Sequence, residues 1–184
     1  MENILPVKAF DFLDILDQLN ISYALIGGIA AGYWSNQRYT RDMDLTLFFK
    51  GEDWIQLKKQ LESSSEIKIN QIAEEKDLEF PYLIRIEYRS YPIDLIISLT
   101  EFQKSMISRR VEVELLGKKI KIATQEDVII SKLIAGRSQD LVDIESILKR
   151  FSNLDFPYIE KWVKVWEVED RWKSVLEKSR EKTS

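Results

Sequence analysis

The chain has 184 residues, 45% of them hydrophobic and 32% charged, with a formal net charge of −4 and a pI near 5.1. That length suits one domain with a real core, and the acidic balance argues against broad electrostatic adhesion to nucleic acid. With no cysteine and no histidine, the chain excludes disulfides, thiolate nucleophiles, His-ligated metals and a Ser-His-Asp triad, leaving acid–base work to carboxylates, lysines, tyrosines or metal-bound water.

The first ten residues, MENILPVKAF, lack the basic start and apolar stretch of a signal peptide, and no apolar run spans a bilayer, so we expect a cytoplasmic protein with no membrane partner. Residues 8–19 carry Ala9, Phe12, Leu13, Leu16 and Leu19 at helical spacing and predict an amphipathic helix. Residues 23–26 read as a short buried strand that ends at Gly27-Gly28, and residues 29–33 start a second helix from those glycines. A strand over 45–49 continues Asp42-Met43-Asp44, and residues 53–61 read as a third helix. Further strands are expected over 67–72, 82–88 and 93–97, the last two joined by a tight connection at Arg89-Ser90-Tyr91-Pro92. A hairpin around Gly117 pairs 111–115 with 118–122. Beyond it the pattern turns helical, over 124–135 with Thr124 as cap, 139–149, and 158 to about 176. The fold class is therefore α/β (α+β): a mixed sheet with flanking helices and a helical C-terminal portion. No repeat or composition break divides it, so we expect one domain, with a core of about 1–123 and a helical part of about 124–184.

Acidic residues in apolar strands carry the chemistry. Asp42 and Asp44 point the same way, because strand side chains alternate with period two, and burying a carboxylate is costly without a compensating cation. Asp94 on a neighbouring strand would complete an oxygen-ligand cluster suited to Mg²⁺ or Mn²⁺, which points to two-metal phosphoryl or nucleotidyl transfer. Gly27 and Gly28, at the strand-to-helix handover, either let bare backbone N–H groups approach phosphate or let the helix pack close to the sheet. Arg38 and Thr40 lie on the approach to Asp42; an arginine there is a triphosphate clamp, a surface residue or a counter-charge for the aspartates. Lys132, Arg137, Asp140 and Asp143 gather at a helix junction broken by Gly136. They form either ion pairs that fix the junction or a set with Lys132 on the triphosphate and Asp140 near the incoming hydroxyl. Trp162, Trp166 and Trp172 read as helix packing more simply than as a base-stacking platform. Arg109, Arg110, Lys118, Lys119 and Lys121 make either a basic patch or ordinary solvated charge.

The ordered combination of Gly27-Gly28, a short helix, Asp42-Met43-Asp44 and Asp94 in Pro92-Ile93-Asp94-Leu95 resembles the signature of the polymerase-β-type nucleotidyltransferase superfamily. The stretches IGGIAAGYWSNQRYTRDMDL, KLIAGRSQDLVDIESIL and LDFPYIEKWVKVWEVEDRW are similar to its branch related to the AbiEii/AbiGii toxins of type IV toxin–antitoxin systems. The resemblance covers most of the chain. It implies a nucleotidyltransferase that uses two Mg²⁺ (or Mn²⁺) ions to move an NMP from an NTP to a hydroxyl on RNA, protein or a small molecule. A toxin of this kind has a cognate antitoxin as partner. By the same likeness Asp42 and Asp44 bind the metals, while Asp94 binds the catalytic metal and helps activate the hydroxyl. Gly27, Gly28 and Arg38 handle phosphates, joined by Thr40 and Arg137 in the nucleotide-binding set. Lys132 and Asp140 match the later Lys and Asp positions. The pattern departs in two places: Ile29 follows the second glycine where serine is common, with Ser35 or Thr40 as substitutes, and Gln139 stands where lysine is frequent. Two other classes stay open, a catalytically silent nucleotide-binding module and a protein-interaction component of a toxin–antitoxin pair.

Without histidine, transfer should depend on a divalent ion and rise toward alkaline pH, as metal-assisted deprotonation of the acceptor becomes easier. Full turnover in excess EDTA would refute this.

Overall fold

In the computed structural model, which describes residues 7–35 and 42–181, the expected mixed α/β architecture is built on a seven-stranded sheet. The chain forms two compact units, one of Met1–Ile29 with Tyr39–Ala123 and one of Ala30–Arg38 with Thr124–Ser184.

The first unit holds the sheet. Its strands are β1 (Ser22–Ile26), β2 (Met43–Phe48), β3 (Ile67–Ala73), β4 (Leu83–Tyr88), β5 (Tyr91–Ile97), β6 (Val111–Leu115) and β7 (Lys118–Ile122), in the order β3-β4-β5-β2-β1-β7-β6. β2 runs parallel to β5 and β1 parallel to β7, while every other pairing is antiparallel. The central strands are nearly continuous apolar runs, as double-sided burial demands, with Ala24, Leu25, Leu45, Leu47 and Leu95 fully enclosed. α1 (Asp11–Gln18), after a 3-10 turn at Val7–Phe10, packs on β1, and α3 (Asp53–Ser63) packs on β3. α2 (Gly27–Trp34) leaves β1 directly.

One helix of this unit was not expected from the sequence. α4 (Glu101–Arg109) lies against β1 and β2 and buries only a narrow stripe of Phe102, Met106 and Ile107. Its start is closed by a capping box: Thr100 Oγ1 accepts from the Gln103 N–H at 3.2 Å, and Gln103 Oε1 accepts from the Thr100 N–H at 3.0 Å. The β4–β5 connection is also shorter than expected. Only Arg89 and Ser90 form the turn, at φ +50° and +67°, as a type I′ hairpin needs. Two non-glycine residues in left-handed conformation cost energy, which ion pairs offset: the Arg89 guanidinium holds Glu66 at 2.6 Å and Asp11 at 2.6 Å.

The lysines of the β6–β7 hairpin are paired inside the unit rather than forming a basic patch. Asp11, Asp14 and Asp17 recur every three residues along α1. Lys118 takes Asp11 and Asp14, Lys121 takes Asp17, and Lys119 pairs with Glu112 at 3.2 Å.

The second unit is helical: α5 (Gln125–Ala135), α6 (Ser138–Arg150), α7 (Phe156–Val165) and α8 (Glu169–Glu181). Thr124 caps α5 by accepting from the Asp127 N–H. At the other end Gly136 adopts φ +64°, and the Arg171 guanidinium enters to bond the Leu133 and Ile134 carbonyls at 2.8 and 3.0 Å. A Cβ on Gly136 would lie 2.5 Å from Arg171 Nη1, and the residue is in a left-handed conformation, so glycine is favoured at this closure. The single helix expected from 158 to about 176 is two helices. Val168 N–H reaches the Val163 carbonyl at 3.0 Å and Glu167 N–H the Lys164 carbonyl at 3.3 Å, a Schellman ending with Glu167, not glycine, at φ +53°. Trp162 and Trp172 are buried, which supports packing over base stacking for both, while Trp166 is partly exposed.

The junction of α5 and α6 is held by charge. Lys132 Nζ donates to Asp140 Oδ1 and Asp143 Oδ2, each at 2.8 Å, with all three residues buried. Arg137 adds a 2.8 Å bond from Nε to Asp140 Oδ2. Burial pushes the Asp140 carboxyl up, but Arg137 and Lys132 outweigh it and hold it below its usual range.

Lys132→Met, which leaves two buried carboxylates short of their cation, should cost about 3–5 kcal/mol in urea unfolding, whereas Trp166→Ala should stay within about 0.5 kcal/mol. Because the folded pKa of Asp140 is depressed, its contribution is complete above its unfolded value of 3.8 and is lost as pH falls through the lower folded value. Asp140→Asn should accordingly flatten the acid limb of the stability curve below about pH 4.

Candidate active site

The site in the sheet unit starts at the end of β1. Gly27 follows Ile26 at φ +64°, a conformation L side chains rarely adopt, and turns the chain into α2. A Cβ at Gly27 would lie 1.8 Å from Asp44 Oδ2, so the half-buried Asp44 carboxylate rests against bare backbone at the first residue of that helix. A carboxylate is favoured beside a helix N-terminus.

Asp44 and Asp94 are direct register partners across the parallel β2–β5 pair. They share one face of the sheet on strands about 4.8 Å apart. The row continues: Asp94 is opposite Arg85 on β4, and Arg85 is opposite Gln71 on β3. The Arg85 side chain is about half exposed; its Nε donates to Asp94 Oδ2 at 3.2 Å and its Nη1 to Gln71 Oε1 at 3.1 Å. Asp42 precedes β2 and is exposed. Tyr91, at the start of β5, has a buried hydroxyl with no hydrogen-bond partner among the described residues. Burial first, then the charges of Asp42 and Asp44, push its pKa up to about 12, so both carboxylates act on the same corner of the sheet.

Among the described residues no three carboxylates are grouped closely enough to enclose an ion by themselves. The donor set is looser than the three-carboxylate cluster expected from the sequence: two aspartates in register and a third one step outside the strand. Hard oxygen donors in an open arrangement suit Mg²⁺ or Mn²⁺, which keep several positions for water and phosphate.

Arg38 and Thr40 lie outside the described residues. Ser35, considered as a substitute phosphate-binding hydroxyl, is buried and donates to the Ala31 carbonyl at 2.6 Å. Lys132, Asp140 and Arg137 sit together in the helical unit, with the ion pairs given above, and the Arg137 side chain is mostly exposed. Sequence reasoning passed over Arg85 and Gln71. Arg85 had a signal, a lone cation in the apolar run Leu83-Ile84-Arg85-Ile86, but its partner depends on the register of the β4–β5 hairpin.

Residues 11–182 match the family model described as nucleotidyl transferase AbiEii toxin, type IV TA system. No match was found among curated proteins. Among solved structures, the solution structure of the antibiotic-resistance factor ANT(2'')-Ia has a TM-score of 0.62 at 15% identity, covering 98% of this chain and 100% of that one. The lincomycin-bound lincosamide antibiotic adenylyltransferase LnuA has a TM-score of 0.55 at 16% identity, over 82% of this chain and 100% of that one. An antigenic nucleotidyltransferase-like protein from Paracoccidioides brasiliensis has a TM-score of 0.53 at 19% identity, over 92% and 91%. At these identities the likeness is one of fold, and the fold is nucleotidyltransferase-like. The family match spans nearly the whole chain, which therefore belongs to the AbiEii nucleotidyl transferase toxins of type IV toxin–antitoxin systems and is a nucleotidyltransferase.

Proposed function

We propose that the protein transfers an NMP from an NTP to an acceptor hydroxyl, releasing pyrophosphate, at the corner of the sheet where Gly27, Asp44 and Asp94 meet. The observation that carries this reading is the register of β2 and β5, which sets Asp44 and Asp94 side by side with the Asp44 carboxylate against Gly27. Asp42, Asp44 and Asp94 are the residues that would hold two divalent ions. When bound, Mg²⁺ or Mn²⁺ neutralises phosphate charge and lowers the pKa of the attacking hydroxyl.

The protein's own groups orient the reactants. Backbone N–H groups of Gly27 and Gly28 approach phosphate oxygens, with the positive end of α2 behind them. Asp94, the register partner of Asp44, would accept the proton of a hydroxyl brought to that corner. Lys132, Asp140 and Arg137 belong to the site's residue set on sequence grounds; within the helical unit Lys132 and Arg137 both bond Asp140, and the Arg137 side chain is mostly exposed. Arg38 and Thr40 complete the nucleotide-binding set on sequence grounds. The NTP substrate fits a cytoplasmic site of action, and no helix among the described residues is long and apolar enough to cross a membrane. Family membership supports a toxin role with a cognate antitoxin; the acceptor is a hydroxyl on RNA, protein or a small molecule.

Asp44→Asn and Asp94→Asn each remove one charge at nearly constant volume. Transfer of label from α-phosphate-labelled NTPs to a cell-extract acceptor pool should fall by orders of magnitude, while melting without metal stays equal or rises as like-charge repulsion is relieved. Gly27→Ala should abolish transfer, because its Cβ occupies the space of Asp44 Oδ2. Asn variants that melt far below wild type, or that retain full transfer, would sink the proposal.

A further inference from the structure

Four polar residues stand in one row across four adjacent strands: Gln71 on β3, Arg85 on β4, Asp94 on β5 and Asp44 on β2, each the direct register partner of the next. Within the row, Arg85 bonds Asp94. Arg85 Nε reaches Asp94 Oδ2 at 3.2 Å, and its Nη1 is anchored on Gln71 Oε1 at 3.1 Å. Two anchors on one planar guanidinium set its plane, and the plane fixes the direction from which Asp94 is held. Bonding one oxygen of Asp94 from the β4 side sets the rotation of its carboxyl group about the Cβ–Cγ bond. The outward position and half-exposure of Arg85 make it a poor structural strut, since exposed ion pairs add little to stability. Nothing in the packing of β4 requires an arginine here: its neighbours on the other face, Ile84 and Ile86, supply the buried contacts.

We propose that Arg85 is a positioning residue of the nucleotidyl-transfer site: anchored by Gln71, it holds the Asp94 carboxylate in the orientation the reaction uses. The inference rests on the reading of Asp44 and Asp94 as the reacting corner. It assigns Gln71 a role only through Arg85, and it separates Arg85 from a simple counter-charge that quenches Asp94.

The test uses the full chain with Arg85→Met, Arg85→Lys, Gln71→Leu and the double variant Arg85→Met/Gln71→Leu, assayed with α-phosphate-labelled ATP, CTP, GTP and UTP and a cell-extract acceptor pool. Arg85→Met should lower kcat by about 10²-fold, the usual scale for a misplaced reacting group. KM for the NTP should hold within roughly threefold, and Tm within roughly 2 °C. Arg85→Lys, which keeps the charge but not the planar fork, should fall between wild type and Arg85→Met. Gln71→Leu should lower kcat less than Arg85→Met, and the double variant should be no worse than Arg85→Met alone, because both act on one bond. Crystals of Arg85→Met should show the Asp94 carboxylate turned from its wild-type orientation. The proposal is overturned if kcat is unchanged or higher in Arg85→Met, if KM alone rises, if the two single effects multiply in the double variant, or if Asp94 keeps its orientation without Arg85. Should wild type itself show no metal-dependent NMP transfer, the nucleotidyl-transfer reading fails, while the crystallographic comparison still decides whether Arg85 orients Asp94.

Discussion

Two aspartates held side by side on parallel strands repel each other, and the rest of the sheet unit is arranged around that constraint. β2 and β5 are locked in register by their other faces, where Met43, Leu45, Leu47, Ile93, Leu95 and Ile97 are buried. A slip of one residue would turn those apolar sets outward, so core burial determines the height at which Asp44 and Asp94 stand. Like charges directly opposite destabilise a sheet, and the structure tempers this with Arg85 beside Asp94 and the start of α2 beside Asp44. Packing of the opposite faces thus sets the two carboxylates at the same height on neighbouring strands.

Elsewhere the charges are organised for structure. The acidic stripe of α1 engages Lys118, Lys121 and Arg89, tying the first helix to the β6–β7 hairpin and to the β4–β5 turn. Several of these contacts join residues nearly the whole unit apart in sequence, so they reinforce the non-local β1–β7 and β2–β5 pairings of the sheet. In the helical unit Lys132, Asp140, Asp143 and Arg137 do the same at the α5–α6 junction, with Arg171 closing the end of α5. Buried and bonded to both Asp140 and Asp143, Lys132 fits the reading in which ion pairs fix the junction. A chain this rich in lysine and arginine still offers little basic surface on the hairpin, because its lysines face carboxylates of the same unit.

The nucleotidyltransferase fold is shared here by proteins named for an antibiotic-resistance factor and a lincosamide adenylyltransferase. What they have in common with this chain is the scaffold, and a scaffold alone does not specify an acceptor.

Much of this was legible in the sequence because it depends on local chemistry. Apolar alternation marked β2 as a strand carrying Asp44, with Asp42 falling one residue before its start, the glycine pair marked the strand-to-helix handover, and the helical stretches α1, α3, α5 and α6 lay within a few residues of their expected bounds. The likeness to nucleotidyltransferases followed from the order of those signals. Where local signals were weak or unconventional, the sequence misled: α4 has a thin apolar stripe, and α7 ends on Glu167 where a glycine would have announced the break. The deepest difference is one of register. A four-residue connection at Arg89-Ser90-Tyr91-Pro92 would have set Glu87 opposite Asp94, a repulsive pair. The two-residue turn that forms instead, its left-handed residues offset by Arg89's ion pairs, sets Arg85 there. Residue types and spacing determined which groups are available for chemistry. Which of them face one another was decided only by turn geometry and the burial of opposite faces, because those energies arise between strands and not along them.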